Sequence, residues 1–132
     1  MTTTWTSLLE NPKAIASLFD CDPSLENVRV KAMEMSDDGP TVNLTFTAKE
    51  TPHRRPARWS KRFNAVSFVL QLMGVSHLAV SGWSTDNVVS CVLSRTDEGS
   101  TQVELRGATL RFRSLCTGLR IANMSGYTRV ED

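Results

Sequence analysis

Histidine and paired acidic residues are the side chains of this sequence that could carry out acid–base chemistry. The chain has two histidines, His53 and His77, and neither has a second ligand at the spacing of a zinc motif such as H-E-x-x-H. The position of His77 at a predicted strand edge favours a solvent-facing residue over a catalytic base. The acid pairs Asp37-Asp38 and Asp97-Glu98 fall at predicted turn tips, where solvated carboxylates are common. We therefore expect no catalytic residue and no metal site, and His77 is the first residue to replace if the protein proves to be an enzyme.

Sequence motifs for nucleotide binding and nucleophilic catalysis are also missing. The seven glycines form neither a G-x-G-x-x-G loop nor a G-K-[ST] ending, and no G-x-S-x-G elbow occurs. The chain has three cysteines, Cys21, Cys91 and Cys116, which is an odd number, and none of them shows C-x-x-C spacing. They therefore predict neither a complete disulfide framework nor a zinc site. Cys91 and Cys116 lie beside apolar residues and are predicted to be small core residues. The sequence thus predicts no enzyme and no cofactor.

The densest positive charge of the chain lies at residues 49–62, which contain six basic residues and one acidic residue and so carry a net charge of +5. Two prolines and the absence of an apolar period predict an exposed connection, so a solvated loop is the first interpretation. A nucleic-acid site is the second, because basic side chains neutralise phosphates and aromatic rings stack on bases. A protein-binding surface is the third, since Arg and Trp often anchor interfaces. The candidate contact residues are Arg54, Arg55, Arg58, Trp59, Lys61 and Arg62.

Acidic residues concentrate in the first part of the chain. Residues 1–48 hold seven acidic and three basic residues, a net charge of −4, whereas the whole chain carries +1. Such segregation affects how a protein meets its partners rather than how it folds. The acidic candidates for partner contact are Asp20, Asp22, Asp37 and Asp38.

The elements that must position these residues are mostly strands. Asn11 and Pro12 are a helix-start signal, with Asn11 as the cap, and they predict a helix over 12–20. Apolar alternation then predicts a hairpin of 26–35 with 41–48 across a Ser-Asp-Asp-Gly-Pro turn. The same pattern predicts a central strand at 64–73, paired as a hairpin with a strand at 76–82.

Further strands are predicted at 87–95, 102–106, 108–113 and 119–127, and the outer face of the third carries Arg111 and Arg113. The fold class is therefore α+β and mainly β: one short N-terminal helix and a largely antiparallel sheet of about seven to eight strands. The pattern allows a strongly curved sheet and does not distinguish an open sheet from a closed one. A chain of 132 residues fits a single domain, 1–132.

Trp83 follows Gly82 at the end of a predicted strand, and we expect its indole to pack on the core. If the sheet instead curls around an apolar cavity, Trp59 and Trp83 would lie near its mouth, and the protein would bind a small molecule. The N-terminus lacks a basic region followed by an apolar run, and no stretch reaches membrane-spanning length. We expect a cytoplasmic protein without membrane contact.

A series of Trp, Gly, Pro and aliphatic positions has a familiar order. These positions are Trp5 before Asn11-Pro12, Leu18-Phe19, Pro23-Ser-Leu25 before Val28-Arg-Val30, Pro56-x-Arg58-Trp59 before Asn64-x-Val66, Gly74-Val75 with Leu78-x-Val80-x-Gly82-Trp83, and Ile121-x-x-Met-Ser-x-Tyr127. Over nearly the whole chain they resemble the bacterial immunity protein 50 family. The resemblance implies a cytoplasmic antitoxin of a polymorphic toxin system that binds and neutralises the toxic domain of a cognate effector. It assigns neither catalytic residues nor toxin contacts. A toxin with a basic cleft would meet the acidic candidates, and one with an acidic cleft would meet Arg54 to Arg62.

Overall fold

The computed structural model describes residues 5–16, 24–37, 40–48 and 65–127. These residues form a 3-10 turn, one short helix and eight strands, which confirms the mainly β fold predicted from the alternating pattern. The bounds are the 3-10 turn Trp5–Leu8, α1 Lys13–Ala16, β1 Val28–Ser36, β2 Thr41–Ala48, β3 Ala65–Met73, β4 Ser76–Ser81, β5 Val88–Arg95, β6 Thr101–Gly107, β7 Arg111–Cys116 and β8 Gly118–Tyr127.

The described strands form one antiparallel sheet in the order β4-β7-β6-β5-β1-β2-β3-β8, and the sheet is not closed. It consists of two groups of four strands, which we call the β4–β5 group (β4-β7-β6-β5) and the β1–β8 group (β1-β2-β3-β8). The groups meet where β1 pairs with β5 through Val28 with Val89 and Arg29 with Val88.

Alternating apolar residues build the core, as the two-residue period of a strand requires. Phe46 of β2 lies directly opposite Phe68 of β3, both are buried, and their ring centroids are 5.5 Å apart. Trp5 stacks on Phe68 with 6.2 Å between centroids. Trp5 of the 3-10 turn therefore packs on β3, while the turn also contacts β5.

The predicted hairpin of 26–35 with 41–48 is confirmed, since β1 and β2 pair antiparallel from Arg29 with Thr47 to Ser36 with Thr41. The predicted hairpin of 64–73 with 76–82 is wrong. β3 pairs with β2 and β8, while β4 pairs with β7 in the other group. The chain crosses between the groups at residues 74–75 and returns at Thr117, whose N–H donates to the carbonyl of Met73 at 2.9 Å. The segments β3–β4 and β7–β8 thus run side by side as one bent antiparallel ribbon.

Two buried thiols contribute to the core as predicted. Cys91 and Cys116 are free and buried. Burial raises the pKa of Cys91 to about 12 and the pKa of Cys116 to about 11. Both thiols are therefore protonated at neutral pH, which disfavours nucleophilic chemistry by either one. Cys21 lies outside the described residues.

The sequence predicted that the side chain of Asn11 caps the helix, but in the described part of the chain this side chain bonds to β8. Its amide instead pairs with the main chain of Ile121 on β8: Nδ2 donates to the carbonyl oxygen, and Oδ1 accepts from the N–H, each at 2.9 Å. The amide imitates a neighbouring strand at this edge of the sheet. The described helix, α1, spans Lys13–Ala16, and the rest of the predicted 12–20 helix lies outside the described residues apart from Pro12.

Replacing Asn11 by alanine is expected to destabilise the protein by about 1–3 kcal/mol, because the N–H and carbonyl of Ile121 lose their partners. Urea denaturation measures this loss as a lower midpoint at an unchanged slope. The matched control is Asn123→Ala on the exposed surface of β8, expected within about 0.5 kcal/mol of the unmodified protein. Equal midpoints for the two variants would contradict the role assigned to Asn11.

Candidate functional site

The structure describes one of the ten residues proposed from sequence as partner contacts. Asp37 follows the last residue of β1, Ser36, in the turn toward β2, and its side chain is exposed. It is free to meet a partner, as a residue at a turn tip should be. The other nine lie outside the described residues and stay predictions: Asp20, Asp22, Asp38, Arg54, Arg55, Arg58, Trp59, Lys61 and Arg62.

His77 lies in β4 with an exposed side chain, which confirms the solvent-facing interpretation. Its φ of 52° is in the left-handed region, at an irregularity in the pairing of β4 with β7. It borders a depression with Gln102 and Arg113, and none of the described residues that line this depression has a carboxylate to orient the imidazole. Across the described residues, no group of three or more His, Cys, Asp or Glu side chains is placed to hold a metal ion.

Charged side chains converge on the outer surface of the β4–β5 group. β7 buries Phe112, so its neighbours Arg111 and Arg113 point away from the core. The register places Arg113 directly opposite Glu104 of β6, and Arg111 directly opposite Arg106. We call these four residues, Glu104, Arg106, Arg111 and Arg113, the arginine face.

One carboxylate shares the arginine face with three guanidinium groups. Arg106 Nε donates to Glu104 Oε1 at 2.5 Å, and Arg111 donates to the carbonyl of Gly107. The hydrogen bond from Arg106 lowers the pKa of Glu104, and the positive charges of Arg106, Arg113 and Arg111 lower it further. Three positive charges thus surround one negative charge at neutral pH, so this surface attracts anionic groups.

An exposed edge strand adjoins the arginine face. All six residues of β4 are exposed. Ala79 lies opposite Arg113, Val80 opposite Phe112, and Ser81 opposite Arg111. The small side chains of Ala79 and Ser81 therefore separate Arg113 and Arg111 from the edge of the sheet. Val80 lies on the opposite face of the sheet, the face that carries the core, and is 38% exposed.

Trp83 is 48% exposed, so the prediction that its indole packs on the core is wrong. The ring follows Gly82, whose φ of +78° turns the chain away from β4 toward the bend at Ser84–Asn87. In that bend the N–H of Ser84 donates to Asn87 Oδ1 at 2.8 Å, and Asn87 Nδ2 donates to the Ser84 carbonyl at 2.8 Å. Leu78 and Val80 of β4 and Trp83 just after it are therefore three apolar side chains that are partly exposed.

This arrangement is suited to binding another protein. Arginine and tryptophan are the side chains that most often anchor interfaces, and partly exposed aliphatic residues can be covered without unpairing a charge. None of the helical segments in the described part of the chain has the length and apolar character needed to span a membrane.

Comparison with known families decides the assignment. A model of the family described as Immunity protein 50 matches residues 11–127 of the 132 residues. The chain belongs to this family. The match confirms the resemblance inferred from the Trp, Gly and Pro positions and indicates an immunity function for the protein. It includes all eight described strands of the immunity protein. Curated proteins and solved structures gave no match.

Sequence reasoning missed the arginine face of the immunity protein as a surface. It recognised Arg111 and Arg113 as outward residues but did not place Glu104 and Arg106 beside them. A usable signal exists, because charged residues alternate at 104 and 106 on one strand and at 111 and 113 on the next. Pairing these strands as a hairpin through residues 107–110 brings the two charged pairs together.

Proposed function

We propose that this immunity protein neutralises the toxic domain of a cognate polymorphic toxin by binding it one to one in the cytoplasm, without catalysis. The family match over residues 11–127 carries this proposal, because families of this kind protect the producing cell against a toxin. The arginine face supports it by supplying a charged surface beside partly exposed apolar side chains. Occlusion of the toxin needs nothing beyond such a complementary surface.

The charge of the described surface favours one of the two toxin types considered above. An excess of guanidinium groups on the arginine face suits a toxin domain whose contact surface is acidic. Residues 54–62 would add positive charge to the same type of contact, whereas Asp20, Asp22, Asp37 and Asp38 would suit the opposite type. We therefore favour the basic candidates over the acidic ones as toxin contacts.

Co-expression with the toxin domain encoded in the neighbouring reading frame tests the proposal. We expect cells to survive with the immunity protein and to die without it, and the purified proteins to elute as a one-to-one complex. Titration adds a test of the mechanism: toxin activity should fall linearly to zero at one molar equivalent. Cell death despite co-expression, with no complex, would refute toxin neutralisation. Full inactivation by a small fraction of an equivalent would indicate a catalytic mechanism instead.

A further inference from the structure

We propose that the free edge of β4 accepts an extended segment of the toxin domain as an additional strand, and that acidic and apolar residues alternate in this segment. The inference rests on the proposed function and specifies which surface of the immunity protein binds and what chemistry it recognises. Addition of a strand to an exposed sheet edge is a general mode of recognition, in which main-chain hydrogen bonds supply affinity and alternate side chains supply specificity.

The two edges of the described sheet differ. The β8 edge is occupied by the chain itself: the N–H of Glu10 donates to the carbonyl of Leu119 at 2.7 Å, and the Asn11 amide holds both main-chain groups of Ile121. At the β4 edge, the main-chain partners found within the described residues belong to β7. A sheet edge with unused main-chain groups is a template for another strand, and natural proteins usually cover it. Among the described residues, one edge is covered and the other is left open to a partner.

The outer side of β4 selects for acidic residues. Strands in a sheet lie about 4.8 Å apart, so an added strand would lie about 10 Å from β7. Ala79 and Ser81 stand between them and are short, so the long side chain of Arg113 can extend across Ala79. Arg111 can extend across Ser81 once its guanidinium exchanges the Gly107 carbonyl for a carboxylate of the added strand. Carboxylates two residues apart on the added strand would project to the same side and meet these two guanidinium groups.

The inner side of β4 selects for apolar residues. Cys91, Leu105, Phe112 and Val80 form one row across β5, β6, β7 and β4. The first three are buried, whereas Val80 is 38% exposed because no strand follows it in the described sheet. An apolar residue opposite Val80 would extend the row and remove this side chain from water. A segment with acidic residues at alternate positions and apolar residues between them satisfies both sides.

The irregularity at the start of β4 limits the length of pairing. Ala79 lies three positions after Ser76 on β4, but their partners Arg113 and Leu115 lie only two positions apart on β7. His77, within this irregularity, has a left-handed φ of 52°. Such bulges bend an edge strand and interrupt its template for pairing. The regular stretch is Ala79–Ser81, so we expect a short added strand rather than pairing along all of β4.

Hydrogen exchange of the complex with the neighbouring toxin domain tests this inference. Free immunity protein should show fast exchange for at least one solvent-facing amide within residues 79–81, and the complex should slow it by at least about tenfold. The amide of Ile121 is the control, because Asn11 already holds it and its exchange should not change. A complex that forms without protection at 79–81 overturns the strand-addition inference and leaves toxin neutralisation standing. Absence of any complex overturns both.

Proline variants provide the second measurement. In an antiparallel pair, the main-chain N–H and C=O groups of successive residues point alternately toward the neighbouring strand and away from it. One of the two variants Ala79→Pro and Val80→Pro therefore removes an N–H that points away from β7, at the free edge. That variant should keep its urea midpoint and lose at least about tenfold in toxin affinity. Unchanged affinity in both variants would contradict the inference. It would also be overturned if a single-stranded oligonucleotide, but not the toxin domain, protected the amides of residues 79–81.

Discussion

Exchanging Arg111 and Arg113 together for glutamate is expected to weaken the complex with the toxin domain by at least about 100-fold. Close charge pairs at protein interfaces have measured coupling energies of about 1.5–7 kcal/mol, and about 1.4 kcal/mol corresponds to a tenfold change in affinity. Reversal also places two carboxylates beside Glu104, so the surface would repel the acidic segment that it is proposed to attract. Isothermal titration at two salt concentrations measures both the affinity and its electrostatic part.

Arg95 and Arg120 provide a control matched in charge. Arg95 lies at the end of β5, where its guanidinium donates to the Gly99 carbonyl at 3.1 Å, and Arg120 lies on β8 in the other group of strands. Each exchange of Arg for Glu lowers the net charge by two, so both double variants change from +1 to −3. The control pair should lose less than about tenfold in affinity. Equal losses would show that net charge, rather than the arginine face, governs binding.

The sequence allowed prediction of the strands more readily than of their neighbours. Alternation of apolar and polar residues identifies the buried side of a strand. The β1–β2 hairpin could be predicted because a turn-forming segment joins two such alternating segments. The same reasoning failed for β3 and β4, where residues 74–75 also look like a short hairpin connection. Whether a chain reverses or bends at such a link depends on distant partners, and here Thr117 bonds to Met73 across the bent ribbon. Long-range pairing has no local signal in a single chain.

The candidate site shows the same limit. The outward position of Arg113 can be inferred from its buried neighbour Phe112, but its meeting with Glu104 requires the β6–β7 register. Trp83 was misplaced because a large ring after glycine at a strand end is usually buried, whereas here the chain leaves β4 through the left-handed Gly82 and the ring stays 48% exposed. The basic segment 49–62, which stood out most in the sequence, lies outside the described residues.

Replacing Gly82 by alanine is expected to destabilise β4 and with it the proposed toxin-binding edge. The φ of Gly82 is +78°, and an added Cβ would lie 1.9 Å from the carbonyl oxygen of Thr109. Because that oxygen belongs to the main chain, a side-chain rotation cannot relieve the clash, and the segment after β4 must move away from residues 109–110. The left-handed backbone alone costs about 1–2 kcal/mol for a residue with a Cβ, and we expect the clash to add at least as much.

Gly99→Ala separates these two contributions. Its φ is +88°, so the backbone cost is similar, but no atom lies within 4 Å of the added Cβ. Urea denaturation should show a loss of about 1–2 kcal/mol for Gly99→Ala and about 2–4 kcal/mol for Gly82→Ala, with faster amide exchange in β4 for the latter alone. Because β4 is an edge strand held by β7, the Gly82 variant should release it before the other strands unfold. Equal losses in the two variants, with β4 amides still protected, would show that the approach of Gly82 to Thr109 does not hold β4 in place.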